Sequence, residues 1–252
     1  RDSSEFSLSI RGKYRIMNLA THQDIAQGRR FRESVVRPGE KGIVIDALQQ
    51  EVERLRITSS KDVSIEADGK RYRYRGQIDI LHDSNGRLLV INNLDLESYV
   101  KGVLYHEVPH YWPLNAIQAQ AVATRTYALF RISEQKKQLY DVTSTIYSQV
   151  YGGRSAERHR TNVAADRTRG QILTYKGKIL PAYFHSACGG KTEDAVELWK
   201  QDLAPLKGIV CKFCAQSPHN QWKRNFRSKD IQGLLNVHGY NLGLIKEIQV
   251  AS

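Results

Sequence analysis

Five consecutive residues, His106-Glu107-Val108-Pro109-His110, hold two imidazoles and a carboxylate. On an unbroken helix, histidines four apart share a face and hold one zinc ion, with the glutamate as general base of a peptidase or amidase. Pro109 argues against that geometry. It lacks a backbone donor, clashes with the carbonyl four residues back and drives Val108 out of the helical region, at a cost of about 3 kcal/mol. His106 and His110 should therefore not share a face. Glu107 can act without them. At a helix C-terminus it feels the negative end of the dipole, and apolar neighbours desolvate it. Both effects disfavour the carboxylate and raise its pKa, as a general acid working near neutral pH requires. An ordinary solvated glutamate before a proline is the plain alternative.

A second group of reactive side chains falls late in the chain. There are three cysteines, Cys188, Cys211 and Cys214. An odd count argues against a complete disulfide framework, and the C-x2-C pair argues for a metal. His219 would complete a closed Cys3His site, which is structural; His185 is the rival fourth ligand. A Cys211–Cys214 disulfide with Cys188 free is the competing reading for an exported protein.

These residues need elements to position them. Asp95 is a good helix N-cap, and Glu97 falls in the first turn, where the dipole favours an acid. Tyr99, Val100, Val103 and Leu104 then share one face, which Glu107 continues. Pro113 suits the first turn of a second helix that buries Leu114, Ile117, Ala121 and Ala128. Upstream, Phe6, Leu8 and Ile10 alternate with polar residues as a half-buried strand does. Tyr14 and Ile16 suggest another strand after a turn at Gly12, and residues 37–40 read as a turn. Asp68-Gly69 and Asn85-Gly86 each divide alternating runs into a hairpin. Downstream, residues 141–153 look extended and polar, and the Gly152-Gly153 pair implies a close backbone approach. Residues 156–169 read as a short basic helix. Residues 171–175 and 178–184 read as strands around Lys176-Gly177, 230–236 as a helix and 245–250 as a last strand. The expected fold is α+β. A β-rich lobe over residues 1–90 packs on a mixed α/β core over 91–252, or is continuous with it, and a helix pair carries Glu107.

Bulk properties narrow the classes. At 252 residues, 40% hydrophobic and 25% charged, the chain can bury a full core. No apolar run approaches the ~18 residues of a membrane span. A net charge of +12 favours anionic partners. No RNP aromatic pair or basic-region helix is present, so nucleic acid is not the expected partner.

The runs ESYVKGVLYHEVP, NAIQAQAVATRTYAL, SQVYGG, RGQILTYKGK and AYFHSACGGKTED, in that order, resemble the SpoIID/LytB family. The resemblance covers about residues 94–222. It implies a lytic transglycosylase that cuts peptidoglycan between N-acetylmuramic acid and N-acetylglucosamine without water, on strands stripped of their peptides by an N-acetylmuramoyl-L-alanine amidase. The family's catalytic glutamate falls on Glu107. Its other motif positions fall on Gln120 and Arg125, on Ser148, Gln149 and Tyr151, and on His185 and Ser186. Of these, Arg125 either meets the lactyl carboxylate of muramic acid or braces the helix pair; the others are plausible sugar contacts or core and turn residues. His106 departs from the pattern, which has a small residue there. Because His185 belongs to a family motif, His219 is preferred as the fourth zinc ligand. The resemblance further implies no cofactor for catalysis and a role in sporulation-like or division-linked wall remodelling; the expected structural zinc comes from the cysteine spacing. It also implies an extracytoplasmic location, with an anchor in a longer protein left open. The alternatives are a non-catalytic glycan-binding scaffold on the same fold and a zinc peptidase or amidase using HEVPH.

Overall fold

Alternation of buried and exposed residues builds the first third of the chain into one sheet. The computed structural model describes residues 2–3, 5–48, 51–83, 85–134, 138–217, 223–240 and 243–248. Its strands are β1 (Asp2–Ser3), β2 (Phe6–Asn18), β3 (Asp24–Pro38), β4 (Ile43–Ile45), β5 (Glu51–Val52), β6 (Arg54–Ser59), β7 (Val63–Ala67), β8 (Lys70–Tyr74), β9 (Gln77–His82) and β10 (Leu88–Asn93). They form a ten-stranded antiparallel sheet in the order β1-β10-β9-β6-β2-β3-β4-β5, with the β7–β8 hairpin branching from β2. Leu8, Ile10, Ile57, Val63, Ile78 and Ile80 fill its buried face at 0% exposure. Asp68 and Gly69 take positive φ between β7 and β8, as the hairpin reading expects. Gly12 does not turn the chain. Its φ of 88° coincides with a register shift between Arg11 and Tyr14, so it makes a bulge inside one long strand.

Helix α1 (Leu96–Glu107) follows β10, then α2 (Leu114–Glu134), a 3-10 turn at Gly153–Ala156 and α3 (His159–Arg167). Residues 141–153 form bends and turns and no strand, because their hydrogen bonds close locally, as from Ser148 N–H to the Thr145 carbonyl (3.1 Å). The strands expected at 171–175 and 178–184 shrink to β11 (Thr174–Tyr175) and β12 (Lys178–Ile179).

Two compact units divide the chain, Arg1–Phe184 and His185–Ser252. The boundary is at Phe184, not near residue 90. Sheet and helices share the first unit because β8 is tied to the 3-10 turn, with Arg73 N–H donating to Ser155 Oγ at 2.9 Å and Arg75 paired with Glu157 at 2.7 Å. The second unit holds α4 (Ala195–Trp199) and α5 (Ser228–Val237), the latter over the expected span. Residues 245–248 are not a strand; 249–250 lie outside the described residues. The fold is mixed α and β, with an antiparallel sheet and five α-helices among the described residues.

Candidate active site

Asp95 opens α1 by accepting the Ser98 backbone N–H at 3.0 Å. The apolar face then buries Val100 and Leu104 with Val108 against Ile117, Ala121, Ala164 and Ala165 of α2 and α3. The helix stops at Glu107. Val108, held extended by Pro109 at φ −144° and ψ 136°, still donates its N–H to the Leu104 carbonyl at 3.0 Å. Arg160 of α3 fixes the chain beyond, donating to the carbonyls of His110 (2.9 Å) and Trp112 (2.8 Å). The HEVPH segment is thus not a continuous helix. His106, Glu107 and His110 do not converge as metal ligands; among the described residues only the three cysteines do.

Glu107 is half-buried at the end of α1. Burial pushes its carboxyl above the ordinary value, and a hydrogen bond from the Val150 backbone pulls part of the way back. Among the described residues, no neighbouring carboxylate influences it. His106, next to it, is held below the ordinary histidine value by burial and then by the charge of Arg158. Its ring lies against Gly152, where an added Cβ would sit 2.5 Å from Nε2.

The segment Ser148–Gly153 crosses α1 where side chains are smallest. A Cβ on Gly102 would meet the Tyr151 ring at 2.4 Å, and Gly152 N–H donates to the Gly102 carbonyl at 3.1 Å. Ser148 Oγ accepts from the Thr143 backbone at 3.1 Å and holds the preceding turn. Gln149, 2% exposed, accepts the Tyr99 hydroxyl on Oε1 at 3.0 Å, while its buried Nε2 has no hydrogen-bond partner. Tyr151 donates to Asn92 Oδ1 at 2.7 Å and stacks on Tyr99 with ring centroids 5.4 Å apart. Burial, Tyr127 and Glu107 together hold the Tyr99 phenol above its ordinary value. Tyr99 and Tyr151 also line a cavity of about 500 Å³ between β10 and the helix pair, which Glu107 does not reach.

Arg125, which the motif left open between a carboxylate contact and a brace, is the brace. It is 0% exposed, and all five donors are used: Nε and Nη2 to Glu97 (2.9 and 2.8 Å), Nη2 to Ala165 O (3.2 Å), and Nη1 to Gln171 O (3.0 Å) and Ala121 O (3.4 Å). Burial raises Glu97, yet Arg125 and the Gly170 N–H outweigh it and leave the carboxyl below its ordinary value. Gln120 is half-buried on α2 and donates to Thr124 Oγ1 at 3.4 Å. His185 and Ser186 are exposed side chains of the second unit.

Three exposed aromatic residues lie close in sequence to the motif residues and were not singled out from sequence. Tyr111 (74% exposed) and Trp112 follow Glu107, and Tyr147 (86% exposed) precedes Ser148. Their closeness in sequence to Glu107 and Ser148 was the available signal. Glu97, the partner of Arg125, was read only as a dipole residue.

In the second unit, Thr192 N–H donates to Ile209 O at 2.9 Å and Cys211 N–H to Gly190 O at 2.8 Å. This ladder, with Gly189 and Gly190 at positive φ, brings Cys188 beside Cys211 and Cys214. The three thiols are free, with sulfurs 3.2 Å apart for Cys188–Cys214 and 3.8 Å for Cys211–Cys214. Those separations exceed a disulfide bond and approach the ~3.8 Å that tetrahedral ~2.3 Å zinc–sulfur bonds impose. Backbone N–H of Phe213 pulls the Cys211 thiol below its ordinary value, while the hydrogen bond with Cys214 holds the Cys188 thiol above its own. His185 is not in the group, and His219 lies outside the described residues.

With this geometry in hand, relatives place the chain. Residues 84–175 match the profile of the Stage II sporulation protein family, SpoIID. An uncharacterized protein of Brachyspira hyodysenteriae is 41% identical over 131 residues, covering 52% of this chain and 36% of its own. The Amidase enhancer of Bacillus subtilis is 35% identical over 123 residues, 49% of this chain and 16% of its own. Stage II sporulation protein D of Bacillus amyloliquefaciens is 31% identical over 169 residues, 58% of this chain and 47% of its own. The chain thus spans less than half the length of each of these relatives. Helix α1 with its terminal glutamate, the paired α2 and the SQVYGG segment all fall in the matched stretch, and across it this chain is similar to the SpoIID family.

Proposed function

We propose that the protein is a lytic transglycosylase of peptidoglycan and that Glu107 is its single acid and base. The observation that carries this reading is a half-buried carboxyl at the end of α1, pushed up by burial and pulled back by one backbone N–H, with no second carboxylate among the described residues acting on it. A hydrolase normally needs two carboxyl groups, about 5 to 9.5 Å apart. A transglycosylase needs one. Protonated Glu107 gives its proton to the bridging oxygen as the C1–O bond breaks. The C6 hydroxyl of the same muramic acid attacks C1, and its proton passes to the Glu107 carboxylate, which ends protonated as it began. The nucleophile is already tethered to the reacting carbon, so little entropy is lost in bringing it there. Exposed Tyr111, Trp112 and Tyr147 offer flat apolar faces to sugar rings.

The rest of the reading follows the site. The substrate is peptide-free glycan, whose muramic acids each expose a carboxylate to this basic chain. A relative named Amidase enhancer supports an amidase as working partner. Such a substrate places the protein outside the cytoplasm. Cys188, Cys211 and Cys214 would hold a structural zinc that staples the second unit and takes no part in the reaction; the fourth ligand expected from sequence, His219, lies outside the described residues. The test incubates the protein with intact and with peptide-stripped peptidoglycan, with and without chelator. Mass spectrometry should find 1,6-anhydro-muramic acid ends, chiefly from stripped strands. Binding without product would favour a scaffold, and chelator-sensitive cleavage of peptides would favour a zinc peptidase.

A further inference from the structure

The outer face of the sheet carries a second cleft. Strands β2, β7 and β8 bury Leu8, Ile10, Val63 and Ile65 on one side, so the intervening residues face the other. Their register sets Ser9 opposite Ser64 and Ser64 opposite Arg73. The result is a cleft of about 430 Å³, lined by Ser9, Ser64, Arg11, Lys61, Arg73 and Arg154, with Arg71 at its edge. Asp62 is the one carboxylate in the lining, and it is shared by Arg154 and Arg73. Arg71 is taken up by Glu66 (2.7 Å) and Glu33 (2.8 Å). Arg11 and Lys61 are exposed and have no carboxylate partner among the described residues. The cleft is therefore an oxyanion site in excess of its own acids, with serine hydroxyls between the cations.

It is joined to the acid by one short stretch of backbone. Val150 bonds the Glu107 carboxylate, and four residues on Arg154 reaches the cleft. Four residues span at most about 14 Å. Gly153 makes the crossing possible, since a Cβ there would strike the Arg73 carbonyl at 2.5 Å. We propose that this cleft holds the carboxylates of a glycan strand running on from Glu107, so that the sheet grips the same polymer that the helix pair cuts. The proposal rests on the transglycosylase reading for its ligand and on the cleft alone for its chemistry.

The test uses the full chain and the double variant Arg11→Gln/Lys61→Gln, both residues exposed and unpaired, so the fold should stand. Binding is measured for peptide-free glycan strands, for an N-acetylglucosamine oligomer of matched length without carboxylates, and for polyphosphate. The proposal expects the variant to bind peptide-free glycan about tenfold more weakly, with no change for the neutral oligomer. Cleavage of a short peptide-free glycan fragment should be unchanged, while cleavage of long strands loses apparent affinity. Equal glycan binding by both proteins would overturn it. Polyphosphate binding that depends on Arg11 and Lys61, without competition from glycan, would also overturn it and assign the cleft to a phosphate polymer. Variant-sensitive glycan binding with no anhydro product from either protein would uphold the cleft and refute the transglycosylase reading.

Discussion

Glu107 sits between two opposing influences, burial that raises its pKa and the Val150 N–H that lowers it, and burial prevails. The protonated form is the one that starts the reaction. Activity should therefore fall as pH rises through the Glu107 pKa, with the descending limb above the ordinary carboxylate range, as a pH–rate profile would show. The same shift has a stability consequence. The folded state holds this proton more tightly than the unfolded chain, so stability is lost as pH rises from the unfolded to the folded pKa. Glu107→Gln, neutral at every pH, should remove that loss and melt no lower than wild type at pH 7. Arg125 belongs to the opposite class. Arg125→Met strands the Glu97 carboxylate in the interior and should cost about 3–5 kcal/mol by urea denaturation, whereas pairing it with Glu97→Gln should recover a large part. The family motif drew attention to Arg125, but its partner Glu97 was hidden. The pair is 28 residues apart in sequence, a separation no local pattern reveals.

At the scale of elements, the site depends on α1 being interrupted where it is and thin where it is crossed. The end at Glu107 was legible because proline restricts the residue before it, whatever the tertiary context. The start at Asp95 was legible because capping is local. The hairpins at Asp68-Gly69 and Asn85-Gly86 were legible for the same reason. β6 and the long β3 were not, because Arg54–Ser59 and Asp24–Pro38 are arginine-rich and owe their pairing to β2 and β9. Gly102 was missed too, since the need for it arises from Tyr151, far along the chain. Gly102→Ala weighs these forces. Alanine gains about 1 kcal/mol of helix propensity. It also drives a methyl into the Tyr151 ring, and overpacking of that kind costs about 1–3 kcal/mol. The clash should win. The variant should be less stable in denaturant and slower on glycan, because SQVYGG and the Val150 N–H move with Tyr151.

At the scale of the molecule, the sheet and the first three helices form one unit and the cysteine cluster belongs to another. Chain composition suggested an anionic partner but no place for one; the proposed place rests on the register of β2, β7 and β8. The zinc proposal belongs at this scale because it concerns the second unit as a whole. Elemental analysis should find about one zinc per chain, and Cys188→Ser should lose it and lower the melting temperature. A metal-free protein of full stability would refute the metal while leaving Glu107 untouched. The central claim is that one carboxyl does the chemistry. The most direct measurement is mass spectrometry of peptide-free glycan digested by wild type and by Glu107→Gln, with circular dichroism confirming that the variant is folded. The account predicts anhydro-muramic acid ends from wild type and a loss of at least about a hundredfold in the variant. Anhydro ends formed at the wild-type rate by folded Glu107→Gln would contradict it.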